Sequence, residues 1–193
     1  PHRQLASALA MPIGFKNGIA GNISAAIQGA LFATLPQIHL RLCEEGKASI
    51  SRSAGNPDTH IVLRGGVAGP NDDPAPVSGA LKLLRQAMPP TNLLIDCSHG
   101  NSGKAHDRQT AVFQSVIQQI AEGNGHIRGL MLESHLQAGN QLPTEDRSNL
   151  EYGVSITDAC LDWPSTAQLI TWGADRLCSA PPSLPPVCAI RVP

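Results

Sequence analysis

The sequence contains few aromatic residues, no excess of charge of either sign and no long apolar run, and each absence excludes a class of protein. Aromatic residues make up 3% of its 193 residues, so we expect a core built from aliphatic side chains. The formal net charge of −1 lacks the basic excess typical of nucleic-acid-binding proteins. No run is long enough to span a bilayer, and the first residues lack the pattern of a secretory signal. We therefore expect neither a nucleic acid nor a membrane among the partners of this chain.

Cysteine and glycine patterns that mark several common sites are also missing. The five cysteines are an odd number without CxxC spacing, which argues against a disulfide framework and against a zinc ribbon. No GxGxxG or P-loop motif is present, which lowers the expectation of a dinucleotide-binding fold. Free thiols of this kind fit a reducing compartment, so the sequence predicts a cytoplasmic location.

Predicted strands and helices alternate along the chain. Short apolar runs predict four buried strands, at Met11–Lys16, His60–Leu63, Asn92–Asp96 and Ile127–Leu132. Helices are predicted at His2–Ala10, Ile23–Phe32, Val77–Ala87, Ser102–Glu122 and Ser165–Leu177. This order is typical of an α/β fold in which right-handed crossovers join the strands of a parallel sheet.

The remaining segments predict a ribbon, a partial barrel and a tail. Ile38–Leu42 and Ala48–Ser51 carry polar residues at alternate positions, which predicts a small surface β-ribbon. Four strands are half of a (β/α)8 barrel, so residues 1–177 are predicted to form a partial barrel and the chain to be incomplete. Ala180–Pro193 contains five prolines, so residues 178–193 are predicted to form an irregular tail.

Charged or titratable side chains follow each of the four predicted strands. The strands lead into Lys16, Arg64, His99 and Glu133, and Asp158 lies in a later loop. In a (β/α)8 barrel the carboxyl ends of the strands converge on one face, so we expect these five groups to lie close together. Two ordinary alternatives stay open, because Asp158 can cap the helix that follows it and His99 can be a loop histidine.

The residue types at these strand ends favour metal and anion chemistry. His99, Glu133 and Asp158 combine one nitrogen donor with two carboxylates, a set suited to a divalent transition metal such as Mn²⁺, Fe²⁺, Co²⁺ or Zn²⁺. Lys16 and Arg64 suit phosphate or carboxylate groups, although each can be an ordinary surface charge. The residues alone predict a metal-assisted enzyme that acts on an anionic, phosphorylated small molecule.

Two further features are expected to support such a site. Gly18 and the pair Gly65-Gly66 follow the two cations, where glycine would let a ligand approach the backbone closely. Asp96 and Ser98 precede His99, where both can cap the following helix, and Asp96 is alternatively a partner of the histidine.

Five segments of the sequence resemble successive signatures of the microbial type I 3-deoxy-D-arabino-heptulosonate 7-phosphate (DAHP) synthases. They occur in the family's order and are PIGFKNG (12–18), HIVLRGG (60–66), IDCSHGNS (95–102), LMLESHL (130–136) and YGVSITDAC (152–160). The resemblance implies the C-terminal half of a (β/α)8 barrel enzyme. Such enzymes condense phosphoenolpyruvate with D-erythrose 4-phosphate to DAHP and phosphate, the first step of the shikimate pathway to the aromatic amino acids.

The resemblance also implies roles for individual residues. Lys16 and Arg64 match residues that hold phosphoenolpyruvate, and Lys16 is a candidate proton donor. His99, Glu133 and Asp158 match three ligands of a divalent metal, which places His99 with Lys16 among the expected catalytic residues. The full-length family is expected to form homo-oligomers.

The resemblance covers only part of a synthase. The chain corresponds to a start about midway through the barrel, and the absent half carries a cysteine metal ligand and the segment that binds erythrose 4-phosphate. The isolated 193-residue chain is therefore expected to be inactive, with Asp96 and His135 acting as partners of the ligands rather than as ligands. The alternatives are a non-catalytic remnant of a synthase and another metal-dependent barrel aldolase or hydrolase.

Overall fold

Two β-sheets organise the structure, a computed structural model that describes residues 2–87 and 92–179. The strands are β1 (Ile13–Lys16), β2 (Gln37–Leu42), β3 (Ala48–Ser53), β4 (Thr59–Leu63), β5 (Leu93–Asp96) and β6 (Ile127–Met131). The larger sheet is parallel, and its strands lie in the order β1-β4-β5-β6. All four predicted strands are therefore present, and the predicted α/β class with a parallel sheet is confirmed.

Helices precede, connect and follow the strands of the parallel sheet. They are α1 (His2–Ala8), α2 (Ser24–Thr34), α3 (Pro74–Ala87), α4 (His99–Ser102), α5 (Gln109–Ala121) and α6 (Trp163–Cys178). Among the described residues, no helix has both the length and the apolar character needed to cross a membrane. Ala180–Pro193, most of the predicted tail, lies outside the described residues, and α6 continues through Cys178.

The core lies between the parallel sheet and the helices packed on it. β4 and β5 contribute Ile61, Leu63, Leu93 and Ile95, which are almost completely buried. Consecutive residues of both strands are buried, as expected of strands covered on both faces, and the strands accordingly carry apolar residues without alternation. Phe113 is the one aromatic side chain among the buried core residues that the structure describes, in line with the expected aliphatic core.

The smaller sheet is a hairpin of β2 and β3. The two strands pair antiparallel, and Leu40 lies opposite Ile50. Both of these apolar side chains are exposed, so the hairpin contributes little to the core. The functional groups are therefore positioned by the parallel sheet and not by the hairpin.

The prediction of one continuous helix over Ser102–Glu122 is wrong for its first turns. α4 ends at Ser102, and both Gly103 and Lys104 have left-handed backbone conformations, with φ of 61° and 63°. A right-handed helix cannot continue through two such residues. The chain then passes through a short 3₁₀ turn at His106–Arg108 before α5 begins.

Asp72 is a buried carboxylate without an ion-pair partner among the described residues. Burial raises its pKa, and the nearby Asp73 charge adds to the rise, while a backbone hydrogen bond opposes it. A folded-state pKa above the unfolded value of about 4 means that ionised Asp72 destabilises the fold at neutral pH. This penalty disappears as the pH falls through the raised pKa towards about 4.

We therefore expect Asp72→Asn to raise the melting temperature at pH 7 and to leave it nearly unchanged at pH 4. Thermal melts of both proteins between pH 4 and pH 8 measure the difference, because titrations shared by the two proteins cancel. A variant that melts below the wild-type protein at pH 7 would contradict the expectation.

Candidate functional site

Asp96 is the buried centre of the polar network at the carboxyl end of the sheet. It is the last residue of β5, and its Oδ2 accepts a hydrogen bond from Lys16 Nζ at the end of β1 (2.6 Å). Its Oδ1 accepts hydrogen bonds from the Ser98 backbone N–H (3.0 Å) and hydroxyl (2.5 Å). Burial disfavours the ionised carboxyl, but the bonds from Lys16 and Ser98 and the positive charge of Lys16 outweigh it and lower the Asp96 pKa. Asp96 is therefore a carboxylate at neutral pH.

His99 is oriented by this carboxylate. Its Nδ1 lies 3.0 Å from Asp96 Oδ2 and 2.7 Å from Ser98 Oγ, whose hydroxyl hydrogen is already donated to Asp96. Both neighbours of Nδ1 therefore act as acceptors, which assigns the ring hydrogen to Nδ1. In the neutral form of the ring this leaves the Nε2 lone pair on the opposite side, as in a histidine that binds a metal.

Two carboxylates face this free nitrogen. His99 Nε2 lies 3.6 Å from Glu133 Oε1 and 3.9 Å from Asp158 Oδ2. One donor atom from each of the three residues lies within 4.8 Å of the others. The side chains of His99, Glu133 and Asp158 are 16%, 31% and 61% exposed, so the cluster is closed at the histidine and open at Asp158. Two carboxylates this close repel each other unless a cation lies between them, and the donor set fits a divalent metal.

The backbone of His99 is held in an uncommon conformation. Its φ of 53° lies in the left-handed region, which is costly for residues other than glycine. The Gly100 N–H donates to the Arg64 carbonyl (2.9 Å), and the Lys104 N–H donates to the His99 carbonyl (2.7 Å). Strain of this kind is typical of functional sites, because the surrounding structure must hold the residue there.

Arg64 lies beside this turn, but its side chain stands apart from the cluster. Its backbone N–H donates to Asn17 Oδ1 (2.8 Å), and its carbonyl accepts from Gly100. Arg64 is half-buried, and its guanidinium has no hydrogen-bond or ion-pair partner among the residues that the structure describes. The structure therefore joins Lys16 to His99 through Asp96, whereas the hydrogen bond between Arg64 and the His99 turn is made by the Arg64 backbone.

The glycines after Arg64 serve a different purpose from the one expected. Gly65 has a φ of +66°, and a Cβ on it would lie 2.5 Å from the Gly100 carbonyl carbon. A Cβ on Gly66 would lie 2.5 Å from the Gly21 nitrogen. The close approach at Gly65-Gly66 is by the protein's own backbone, whereas a Cβ on Gly18 would meet only the Asn22 carbonyl oxygen within 4 Å, at 3.9 Å.

Three asparagines that sequence reasoning missed hold these loops together. Asn17 Nδ2 donates to the Gly65 carbonyl (2.8 Å), and the Gly65 N–H donates to Asn71 Oδ1 (2.7 Å). The Asn71 N–H donates to Asn101 Oδ1 (2.8 Å), and Asn101 Nδ2 donates to the Asp96 carbonyl (2.8 Å). Asparagine beside glycine is the ordinary signal of a turn, which hides the role of these amides in fixing the ends of β1, β4 and β5.

The hydrogen bonds show which of the remaining candidate residues cap helices. Asp162, not Asp158, caps α6, because its Oδ1 accepts from the Ser165 N–H (2.7 Å). Ser98 precedes α4 but accepts no capping hydrogen bond there. His135 is exposed, and its Nδ1 accepts from the Leu136 N–H (2.9 Å). Asp158 is thus free to face the cluster, and among the described residues the His135 side chain hydrogen-bonds only to its sequence neighbour, while its backbone N–H donates to the Leu161 carbonyl (2.9 Å).

A parallel sheet with titratable and cationic side chains at the carboxyl ends of its strands is the arrangement typical of α/β enzymes, which place their active sites there. A sequence model described as the DAHP synthetase I family matches residues 1–171. The chain belongs to this family, and the family predicted from the five segments is confirmed.

Individual relatives agree with this assignment. The chain is 46% identical over 169 residues to the Tyr-sensitive phospho-2-dehydro-3-deoxyheptonate aldolase of Escherichia coli K12, covering 88% of this chain and 47% of that protein. It is 46% identical over 166 residues to a putative aldolase of the same name from Schizosaccharomyces pombe, covering 86% and 45%. A solved structure of the aldolase from Francisella tularensis SCHU S4 superposes with a TM-score of 0.86 at 38% identity, covering 93% of this chain and 52% of that chain. The chain thus spans about half the length of these relatives.

Proposed function

We propose that this chain carries one side of a DAHP synthase active site, on the C-terminal half of a (β/α)8 barrel. The observation that carries the proposal is the meeting of His99, Glu133 and Asp158 at the strand ends, with Lys16 linked to them through Asp96. Membership of a family of aldolases supports the reaction, the condensation of phosphoenolpyruvate with erythrose 4-phosphate to DAHP and phosphate.

The histidine and the two carboxylates are the proposed metal ligands. His99 Nε2 and one oxygen each from Glu133 and Asp158 would hold a divalent ion of the Mn, Fe, Co or Zn type. When bound, the metal supplies Lewis acidity for the aldehyde of the sugar or orients a water molecule. Asp96 keeps the His99 hydrogen on Nδ1 and thereby keeps Nε2 directed at the ligand position.

The two cations are the proposed phosphoenolpyruvate contacts. Within the described part of the chain the Arg64 guanidinium has no partner, so its donors are available there for a phosphate or a carboxylate. Lys16 is tied to Asp96 but remains about one-third exposed, so it can reach a second anionic group. Holding phosphoenolpyruvate at two points positions its C3 for attack on the aldehyde, and the positive charges stabilise the developing oxyanion. Lys16 is also a candidate proton donor.

Metal and phosphoenolpyruvate titrations by calorimetry test the proposal with two variants. Glu133→Ala is expected to weaken Mn²⁺ binding by at least about 100-fold, since loss of a ligand exceeds the typical effect of an outer partner. Arg64→Ala is expected to keep Mn²⁺ affinity and to lose phosphoenolpyruvate affinity. The exposed Glu44→Ala, in the turn between β2 and β3, is the matched control and should bind both as the wild-type chain does.

Mn²⁺ affinity unchanged by Glu133→Ala would overturn the proposed metal site, and phosphoenolpyruvate affinity unchanged by Arg64→Ala would overturn the anion site. The inactivity of the 193-residue polypeptide on its own and the homo-oligomeric state of the full-length family stay predictions.

A further inference from the structure

Gln109 is a completely buried polar residue whose side chain holds the backbone of Glu133. It is the first residue of α5 and is 0% exposed. Its Nε2 donates to the Glu133 carbonyl (3.2 Å), and its Oε1 accepts from the Glu133 N–H (2.8 Å). Both polar ends of one amide are therefore used on the two backbone groups of one residue.

These hydrogen bonds replace the pairing that the sheet no longer provides. The register between β5 and β6 ends at Asp96 and Met131, two residues before Glu133. Beyond that point the Gln109 amide offers Glu133 a donor and an acceptor, as a neighbouring strand would. The sheet alone does not fix the direction in which the Glu133 side chain leaves the backbone, and the amide from α5 supplies the missing constraint.

The same backbone group connects the two candidate carboxylate ligands. The Glu133 carbonyl also accepts from the Leu161 N–H (2.9 Å), and Leu161 lies three residues after Asp158. Gln109 therefore holds a peptide that is bonded to the segment carrying the second carboxylate. Gln109, His99, Glu133 and Asp158 all line one cavity of about 220 Å³.

We propose that Gln109 is a positioning residue that fixes the Glu133 carboxylate relative to His99 Nε2. The inference rests on the proposed metal site. Metal ligands must lie within about 0.2 Å of their preferred distances, so a small rotation of the Glu133 backbone is enough to weaken binding. Without the amide, the Glu133 N–H loses its partner and the residue is held only through its carbonyl.

The same helix provides a matched control. Gln119 is also buried, at 6% exposure, and its Nε2 donates to the Asp72 carbonyl (2.8 Å), outside the cluster. Its Oε1 has no hydrogen-bond partner among the described residues. Replacing either glutamine by methionine removes a buried amide of similar size from α5, but only one of the two changes touches a candidate ligand.

The test measures three properties of the wild-type chain and of each variant. They are the Mn²⁺ affinity by calorimetry, the visible absorption spectrum of bound Co²⁺ and the melting temperature of the metal-free chain. Gln109→Met is expected to weaken Mn²⁺ binding about 10- to 100-fold and to change the Co²⁺ spectrum, as is typical when the partner of a metal ligand is lost. Gln119→Met is expected to lower the melting temperature alone. If Gln109→Met does not fold, Gln109→Asn, which keeps the amide but is too short to reach Glu133, is compared in its place.

Glu133→Ala separates the two ways in which the test can fail. If Glu133→Ala abolishes binding while the Gln109 variant binds Mn²⁺ as the wild-type chain does, the positioning role is wrong and the metal site stands. If Glu133→Ala itself leaves Mn²⁺ affinity unchanged, the proposed metal site is wrong.

Discussion

Gly65→Ala is expected to destabilise the fold by about 2–5 kcal/mol, because the new methyl group has no space and the backbone angle does not suit alanine. Gly65 has a φ of +66°, and its Cβ would lie 2.5 Å from the Gly100 carbonyl carbon and 2.6 Å from the Asn101 nitrogen. Both atoms belong to the backbone of the turn that follows His99, so neither can move without shifting that turn. The substitution should therefore also weaken Mn²⁺ binding.

Urea unfolding measures this effect, and Gly79→Ala is the control. Gly79 lies in α3, it is exposed, and a Cβ there would have no neighbour within 4 Å. Alanine at an exposed helical position should stabilise the chain by about 0.5–1 kcal/mol. The same change, glycine to alanine, thus has opposite expected signs at the two positions. Equal urea midpoints for Gly65→Ala and the wild-type chain would show that the loops are not packed as tightly as described.

Asp96→Ala is expected to lower stability by about 3 kcal/mol and Mn²⁺ affinity by about 10- to 100-fold. The loss of stability arises because Ser98 loses its acceptor and Lys16 its counter-ion. Lys16 remains about one-third exposed, which keeps the loss at the lower end of the range for broken buried pairs. The loss of affinity arises because His99 Nδ1 no longer faces a carboxylate, so the ring is free to turn.

Urea unfolding and calorimetry measure these two losses, and Asp72→Asn is the contrasting variant. Both aspartates are buried, but Asp72 has no cationic partner in residues 2–87 and 92–179, so removing its charge should stabilise the chain. If Asp96→Ala retains the Mn²⁺ affinity of the wild-type chain, orientation of His99 does not depend on the carboxylate.

The sequence is sufficient to predict the sheet and the residues at its carboxyl edge. β4 and β5 are buried on both faces, so their uninterrupted apolar character marks them as strands and marks where they end. The charged residues at those ends are conspicuous because they interrupt apolar runs, and parallel pairing brings His99 and Glu133 together whatever their separation in sequence. Four of the five segments that carry the family resemblance span the ends of β1, β4, β5 and β6.

The residues that hold the site in place could not be predicted in the same way. Gln109 occurs in a helix with other glutamines, where periodicity assigns it to the polar, exposed side, and only its pairing with Glu133 explains its burial. The break at Lys104 is equally hidden, because lysine gives no local signal for a left-handed backbone. Both depend on contacts with other elements, which a single-sequence pattern does not contain.

The long sequence separation across the site links ligand binding to the folding of the whole sheet. Lys16 and Asp96 are 80 residues apart, and Asp158 lies a further 62 residues along the chain. No local stretch of unfolded chain brings these groups together, so the cluster exists only after β1, β5 and β6 have assembled. A ligand that requires the cluster binds the native state alone, and at 100 times its dissociation constant it shifts the folding equilibrium by about 2.7 kcal/mol. Occupancy of the site and stability of the fold are therefore thermodynamically linked, so a change in one changes the other.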